Sequence, residues 1–401
     1  MLYLLRKGIR QIPGVVIKTV PLPQPEVVTK SGARAQIGRL CRKNGFERVL
    51  LVTDKTIFSL GLHEKILVSL KESGIFCSVF SDICSEPDLA VLDNGRKALI
   101  DSGADAIIAL GGGAVMDACK MIAAGGKKKS RKSEALLRKF LFVRGKTLPL
   151  IAVPTTAGTG AEITVGAVVT DKRGRKGSTV IVGLDVRCVI LDNELTLNAP
   201  RGITCGCGID ALSHGLEGVV ASVRSTEEDK RKSMECVKLV LENLPALMND
   251  PKNGTARQNM CIAAHYGGNA INKQLAGYVH AFAHTIGAKY HIPHGEAIAL
   301  ALLPVMETQK KQCMESLSAL SRYCGLAEKR DSDLEACESL LCEIRRLIDL
   351  CAFDSWVTIP KEDFRSLARA VAMDSINYSP PVVMNDKQIF SVLDRINKER
   401  L

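Results

Sequence analysis

The chain of 401 residues is 46% hydrophobic, enough for two domains with separate cores, and it has no run of about 18 uninterrupted apolar residues to span a membrane. Its net charge of +11 is concentrated: residues 127–146 hold nine basic residues and one acid, so +8 of the total lies in one solvated segment without a nucleic-acid motif. Fourteen cysteines lack framework spacing, and MLYLLRKGIRQIPG is too short and too charged for a secretory signal, so free thiols in a reducing cytoplasm are expected.

The opening segment reads equally as a short amphipathic helix, a first strand or an unstructured lead. RVLLVTD (48–54) has the apolar run of a buried strand, and a helical pattern follows to Leu70. FCSVFSDI is a second strand, and residues 89–102 have helical periodicity. DAIIALGGG (105–113) is a strand running into glycines, and LPLIAVPTT (148–156) is a strand with a polar end. VGAVVTDKRGRKGSTVIVG reads as a hairpin turning at 171–174, and CVILDNEL closes the β-rich part. Strands alternating with helices imply a parallel, Rossmann-like sheet. From Pro200 long amphipathic stretches replace strands. The expected organisation is an α/β domain over 1–197, carrying a β-hairpin, and an all-helical domain over 198–401.

Gly111, Gly112 and Gly113 stand at a strand-to-helix turn, where backbone N–H groups can approach a phosphate and the helix N-terminus favours its charge. Tight turns also use glycine for geometry alone, and this is not G-x-G-x-x-G. Pro154-Thr155-Thr156-Ala157-Gly158-Thr159-Gly160 ends a second strand at the same sheet edge with three hydroxyls for phosphate or ribose oxygens. Asp54, ending the 48–54 strand, suits a ribose and repels a 2′-phosphate, which favours NAD over NADP; its plainer role is a turn residue.

Asp210 and His214 are four apart in GIDALSHGLEGVVA, on one face of a helix. His280 opens and His294 closes HAFAHTIGAKYHIPH, the latter in a Pro-bearing loop. Singly, each histidine is better read as a core or surface residue. Five of the seven histidines nevertheless fall between His265 and His294, and three imidazoles with one carboxylate suit Fe²⁺ or Zn²⁺. Cys205 and Cys207 have poor chelate spacing and read as structural; His265 and His291 are assigned to packing or surface.

GGGAVMDACK, VPTTAGTGAEIT, GIDALSHGLE and HAFAHTIGAKYHIPHGEA together resemble the signature segments of the iron-containing (group III) alcohol dehydrogenases, in matching order from about Val27 to the C-terminus. The resemblance implies the fold shared with dehydroquinate synthase, a metal held by Asp210, His214, His280 and His294, and an active-site histidine at His284. It also implies cofactor contacts at Asp54, Gly111, Gly112, Gly113, Asp117, Thr155, Thr156, Thr159, Thr164 and Lys176. Ala114 and Ala161 depart from the serine that many members carry. The implied activity is reversible hydride transfer between NAD (less readily NADP) and a small alcohol, diol or aldehyde; the cleft between the β-rich half and the helical half of the chain is expected to hold the site, and the resemblance also implies a homodimer or larger assembly. His284 is expected to orient substrate or relay a proton, with packing against the metal cage as the plainer role. Two rivals remain: a dehydroquinate synthase-like lyase, which requires basic residues around an anionic substrate, and a nucleotide-binding scaffold without turnover.

Overall fold

The structure is a computed structural model and describes residues 22–126, 133, 147–171, 176–222, 225–354 and 357–398. The opening segment, the basic segment apart from Ser133, and hairpin residues 172–175 lie outside the described residues. The chain divides into two compact units at Asn198/Ala199.

The first unit is built on a parallel sheet of six strands: β1 (Glu26–Thr29), β2 (Arg48–Asp54), β3 (Phe76–Ile83), β4 (Ala106–Gly111), β5 (Leu150–Pro154) and β8 (Val186–Leu191), in the order β1-β8-β5-β4-β2-β3. β4 and β5 are buried at every position, as expected of parallel strands covered on both faces. A core of Leu51, Ile108, Leu110, Ile151, Val153 and Ile190 packs beneath Ile37, Leu40, Ile66 and Leu70. Each such side chain contributes about 1.5–3 kcal/mol on burial. β6 (Gly166–Thr170) and β7 (Lys176–Val180) form a separate antiparallel pair running from Gly166↔Val180 to Thr170↔Lys176.

Among its described residues this unit includes the α-helices α1 (Ile37–Lys43), α2 (Lys55–Ser59), α3 (Glu64–Glu72), α4 (Leu89–Ser102) and α5 (Gly113–Gly125). α4 begins where the Asp88 side chain accepts from Val91 N and ends at Gly103 with φ 64°. The helical pattern after β2 is two helices, because Gly61 at φ 68° breaks it between α2 and α3. β1 carries no sequence signal of its own; at four residues it is too short to show alternation, and its pairing with β8 defines it.

From β2 the chain moves outward to β3, then returns to the far side of β2 for β4, so its direction of winding reverses between β2 and β4. In open α/β sheets the crevice outside the strand ends at such a reversal receives the ligand. Asp54 ends β2 and Gly111 ends β4 at that place.

Among its described residues the second unit is helical: α6 (Arg201–Val220), α7 (Glu227–Asn249), α8 (Gly254–Gln274), α9 (Tyr278–Tyr290), α10 (His294–Tyr323), α11 (Asp333–Cys351), α12 (Phe364–Asp374) and α13 (Asp386–Ile396). Capping boxes at Thr226/Asp229, Ser332/Glu335 and Asn385/Gln388 satisfy the first N–H groups of α7, α11 and α13. No described helix is long and apolar enough to cross a membrane.

Candidate metal centre and nucleotide edge

α6 is buried along most of its length, and its four-residue spacing presents Asp210 and His214 together. His280 lies in the first turn of α9, and His294 is the first residue of α10 after Pro293, so it stands on a helix end and not in the loop expected from sequence. His214 Nε2, His280 Nε2 and His294 Nε2 lie 3.5, 3.5 and 3.4 Å from one atom, Asp210 Oδ1. Donor atoms of Asp210, His280 and His294 all lie within 4.8 Å of one another, a group that does not include His214.

These separations are longer than the 2.7–3.2 Å of ordinary N–H···O bonds, and Asp210 Oδ1 and His280 Nε2 are buried without a hydrogen-bond partner. Two ligands each about 2.1 Å from a tetrahedral ion stand roughly 3.4 Å apart, so the spacing fits a shared cation better than hydrogen bonds. Charge points the same way. Asp210 and Glu217 are both 3% exposed, and among the described residues their ion-pair partners are histidines alone. Burial opposes the Asp210 charge, yet the adjacent His214 and His294 imidazoles hold its carboxyl well below the usual range. Burial drives His214 down to about 4, keeping it a neutral lone-pair donor. Burial opposes the charge on His280 too, but Glu217 and Asp210 push it up to about 10: without a metal, its imidazolium is the positive charge between two buried carboxylates.

Glu217 escaped the sequence reading, although it lies seven residues after Asp210 on the same helix face. Its Oε1 accepts from Val279 N at 2.7 Å and its Oε2 meets His280 Nδ1 at 2.6 Å. A carboxylate only accepts, so this contact keeps a proton on Nδ1, and the proton that a metal would displace is the one on Nε2, leaving that lone pair for ligation. Glu217→Gln is expected to weaken divalent-metal affinity about 10–100-fold in chelator competition. Unchanged affinity would remove Glu217 from the site.

The ligand helices also touch through glycine. A Cβ on Gly295 would lie 2.4 Å from Gly206 Cα, whereas a Cβ on Gly206 would lie 3.6 Å from Gly295 Cα. Gly295→Ala must therefore part α10 from α6 beside His294 and Asp210, at about 1–3 kcal/mol in urea unfolding. Gly206→Ala is an ordinary contact and should shift stability by no more than about 1 kcal/mol, in the stabilising direction. Equal destabilisation by both variants would disprove this packing.

Of the other sequence candidates, His265 is buried and His291 is exposed. Cys205 is buried with Sγ 3.4 Å from Met248 Sδ, Cys207 is half-buried, and all fourteen cysteines are free. His284 is 44% exposed, one turn beyond His280, with its ring stacked on His294 at 5.4 Å.

In the first unit the β4 and β5 ends lie side by side. Thr155 N donates to Gly111 O at 3.0 Å; a Cβ on Gly112 would lie 3.4 Å from Thr156 Oγ1, and one on Gly113 would lie 3.2 Å from Thr159 Cγ2. Bare glycines and hydroxyls thus share one edge at the start of α5. Thr159 Oγ1 accepts from Ala161 N at 3.2 Å, and Asp54 Oδ1 caps α2 by accepting from Ile57 N at 2.8 Å. Asp117 and Thr164 have structural partners: Lys120 Nζ lies 2.9 Å from Asp117 Oδ1, 2.9 Å from Thr164 Oγ1 and 2.6 Å from Gly166 O, and Val168 N donates to Asp117 Oδ2 at 2.9 Å. Lys176 opens β7 opposite Thr170.

Residues 23–192 match the family described as iron-containing alcohol dehydrogenase, and residues 204–397 match the Fe-containing alcohol dehydrogenase family, C-terminal. The chain is 31% identical over 372 residues to the probable alcohol dehydrogenase EutG of Escherichia coli (strain K12), covering 90% of this chain and 93% of that protein. It belongs to the iron-containing alcohol dehydrogenase family. The bifunctional aldehyde-alcohol dehydrogenase AdhE of the same strain is 33% identical over 291 residues, 70% of this chain; the match spans only 32% of AdhE. A crystal structure of 1,3-propanediol oxidoreductase superposes with a TM-score of 0.86 at 26% identity, covering 94% of this chain and 100% of that one. The fold is that of the family, with the parallel sheet in one unit and helices in the other.

Proposed function

We propose that the chain is a metal-dependent, NAD(P)-linked alcohol dehydrogenase or aldehyde reductase for small alcohols, diols or aldehydes. The observation that carries this is the buried Asp210 Oδ1 ringed by three imidazole Nε2 atoms at 3.4–3.5 Å, in a chain of this family. Asp210, His214, His280 and His294 would hold Fe²⁺, or Zn²⁺ by intrinsic affinity. A divalent ion there supplies Lewis acidity toward an alcohol or carbonyl oxygen, and a bound nicotinamide dinucleotide supplies or accepts the hydride.

The protein's own groups divide the remaining work. Asp210 offsets part of the cation's charge. Glu217 fixes the His280 tautomer, and His284 is available to a substrate hydroxyl. On the nucleotide side, backbone at Gly111, Gly112 and Gly113 and the start of α5 favour a phosphate, with Thr155, Thr156 and Thr159 beside it. Asp54 has a second carboxylate oxygen beyond the one capping α2, which suits a ribose hydroxyl and disfavours NADP. Lys176 is proposed as a further cofactor contact, and Asp117 and Thr164 as contacts that also brace the edge. A reducing cytoplasm fits fourteen free cysteines, and a homodimer or larger assembly is checked by light scattering.

The test is metal analysis of protein purified without oxygen, followed by short-chain aldehydes and diols assayed with NADH and NADPH. One metal per chain and stoichiometric NADH loss with an aldehyde are expected. Phosphate release from a sugar-acid phosphate with no net NADH change would favour the lyase. The ligand-bearing segments argue against that rival, because GIDALSHGLEGVVA and HAFAHTIGAKYHIPH together carry one Lys and no Arg where an anionic substrate needs cations. A protein with neither metal nor turnover would be the scaffold.

A further inference from the structure

We propose that Asp374 and Tyr378 are positioning residues of this site: together they hold the His284 ring with its proton on Nδ1, leaving Nε2 as a hydrogen-bond acceptor for a substrate hydroxyl. The substrate rests on the dehydrogenase reading; the tautomer rests on geometry alone.

Three atoms form a triangle. His284 Nδ1 lies 3.1 Å from Asp374 Oδ2, Tyr378 Oη lies 3.1 Å from the same oxygen, and Tyr378 Oη lies 3.1 Å from His284 Nδ1. A carboxylate oxygen accepts and never donates, so both neighbours donate to it: the tyrosine O–H and an imidazole Nδ1–H. A neutral imidazole protonated at Nδ1 carries its lone pair on Nε2. Among the described residues nothing hydrogen-bonds that Nε2, and the side chain is 44% exposed. The ring stands 5.9 Å from His280 and 5.4 Å from His294, centroid to centroid, which sets the acceptor among the candidate metal donors.

The support is anchored before any ligand arrives. Asp374 ends α12, and Tyr378 follows a single 3-10 turn closed by Tyr378 N donating to Ser375 O at 3.2 Å. Just beyond, Ser379 N donates to Ala276 O at 2.9 Å and Met384 N to Tyr278 Oη at 3.0 Å. These bonds tie the segment to the start of α9, the helix bearing His280 and His284. The triangle therefore has little freedom to rotate.

The experiment uses the full chain, metal-loaded and labelled with ¹⁵N-histidine, with His284 assigned through His284→Ala. Long-range ¹H–¹⁵N correlation reads which ring nitrogen holds the proton. Wild type should show the proton on Nδ1. In Asp374→Asn the neutral amide no longer holds the Nδ1–H by charge, so the share of the ring protonated on Nε2 should rise. Asp374→Asn and the conservative Tyr378→Phe should each lower kcat/KM for an alcohol about 10–100-fold at unchanged metal content. In the His284→Ala background the same substitutions should cost nothing further, because their effect passes through the imidazole. A wild-type proton on Nε2, losses that multiply in that background, or loss of metal in Asp374→Asn would each overturn the proposal. A protein with the expected tautomer shift but no turnover of alcohol or aldehyde would sink the dehydrogenase reading and leave the positioning role standing.

Discussion

Asp210→Asn should leave a folded protein that holds no stoichiometric divalent metal and oxidises alcohols more than about 100-fold more slowly. The substitution keeps the shape of the side chain and removes its charge. Asp210 Oδ1 is the one atom that all three imidazoles share, at 3.4–3.5 Å, and it has no hydrogen bond of its own. A ligand common to the whole set should matter more than an outer partner, whose loss already costs about 10–100-fold in affinity. Coenzyme binding should survive, because Asp54, Gly111, Gly112 and Gly113 belong to the other unit. Metal analysis and fluorescence titration with NADH separate the two effects. A variant that kept one metal per chain would remove Asp210 from the ligand set.

Lys120→Met carries the largest expected loss of stability. The Lys120 side chain is 2% exposed, and its ammonium has three partners on two elements: Asp117 on its own helix, and Thr164 and Gly166 at the entry to β6. Methionine of similar length would fill the space and leave the Asp117 carboxylate, 16% exposed, without its counter-charge. Breaking a buried pair from one side costs about 3–5 kcal/mol; Asp117 is half-buried and keeps the Val168 N–H, so a loss at the lower end, about 3 kcal/mol, is expected. Urea unfolding of the variant should show that loss, and Lys120→Met/Asp117→Asn should recover part of it. A loss below about 1 kcal/mol would mean that Lys120 does not brace this edge. NADH affinity should fall with stability, because the segment from Thr159 to Thr164 loses its anchor.

Asp117 shows how one position can carry a role that its motif does not name. The resemblance implies a cofactor contact at its carboxylate, and Lys120 and Val168 N engage both oxygens as well. Asp54 is similar, since one of its oxygens is committed to capping α2. Part of each competing contact is local, since Lys120 lies one turn after Asp117 and Ile57 three residues after Asp54; the bond from Val168 N comes from a strand that the motif does not contain.

The sequence by itself determined much of what depends on neighbours within a turn or a strand. α4 is legible from its periodicity between Asp88 and Gly103, β4 and β5 from their unbroken apolar runs, and the shared face of Asp210 and His214 from their spacing. Glu217 was within reach by the same rule, as the seventh residue after Asp210. Only the tertiary structure decided the rest. β1 exists because β8 pairs with it some 160 positions later, and His284 meets Asp374 and Tyr378 across 90 and 94 positions. Short-range patterns arise from the fixed geometry of a helix or strand and can be read in one dimension. Contacts between remote segments depend on the path of the backbone through the whole fold, so no local spacing encodes them.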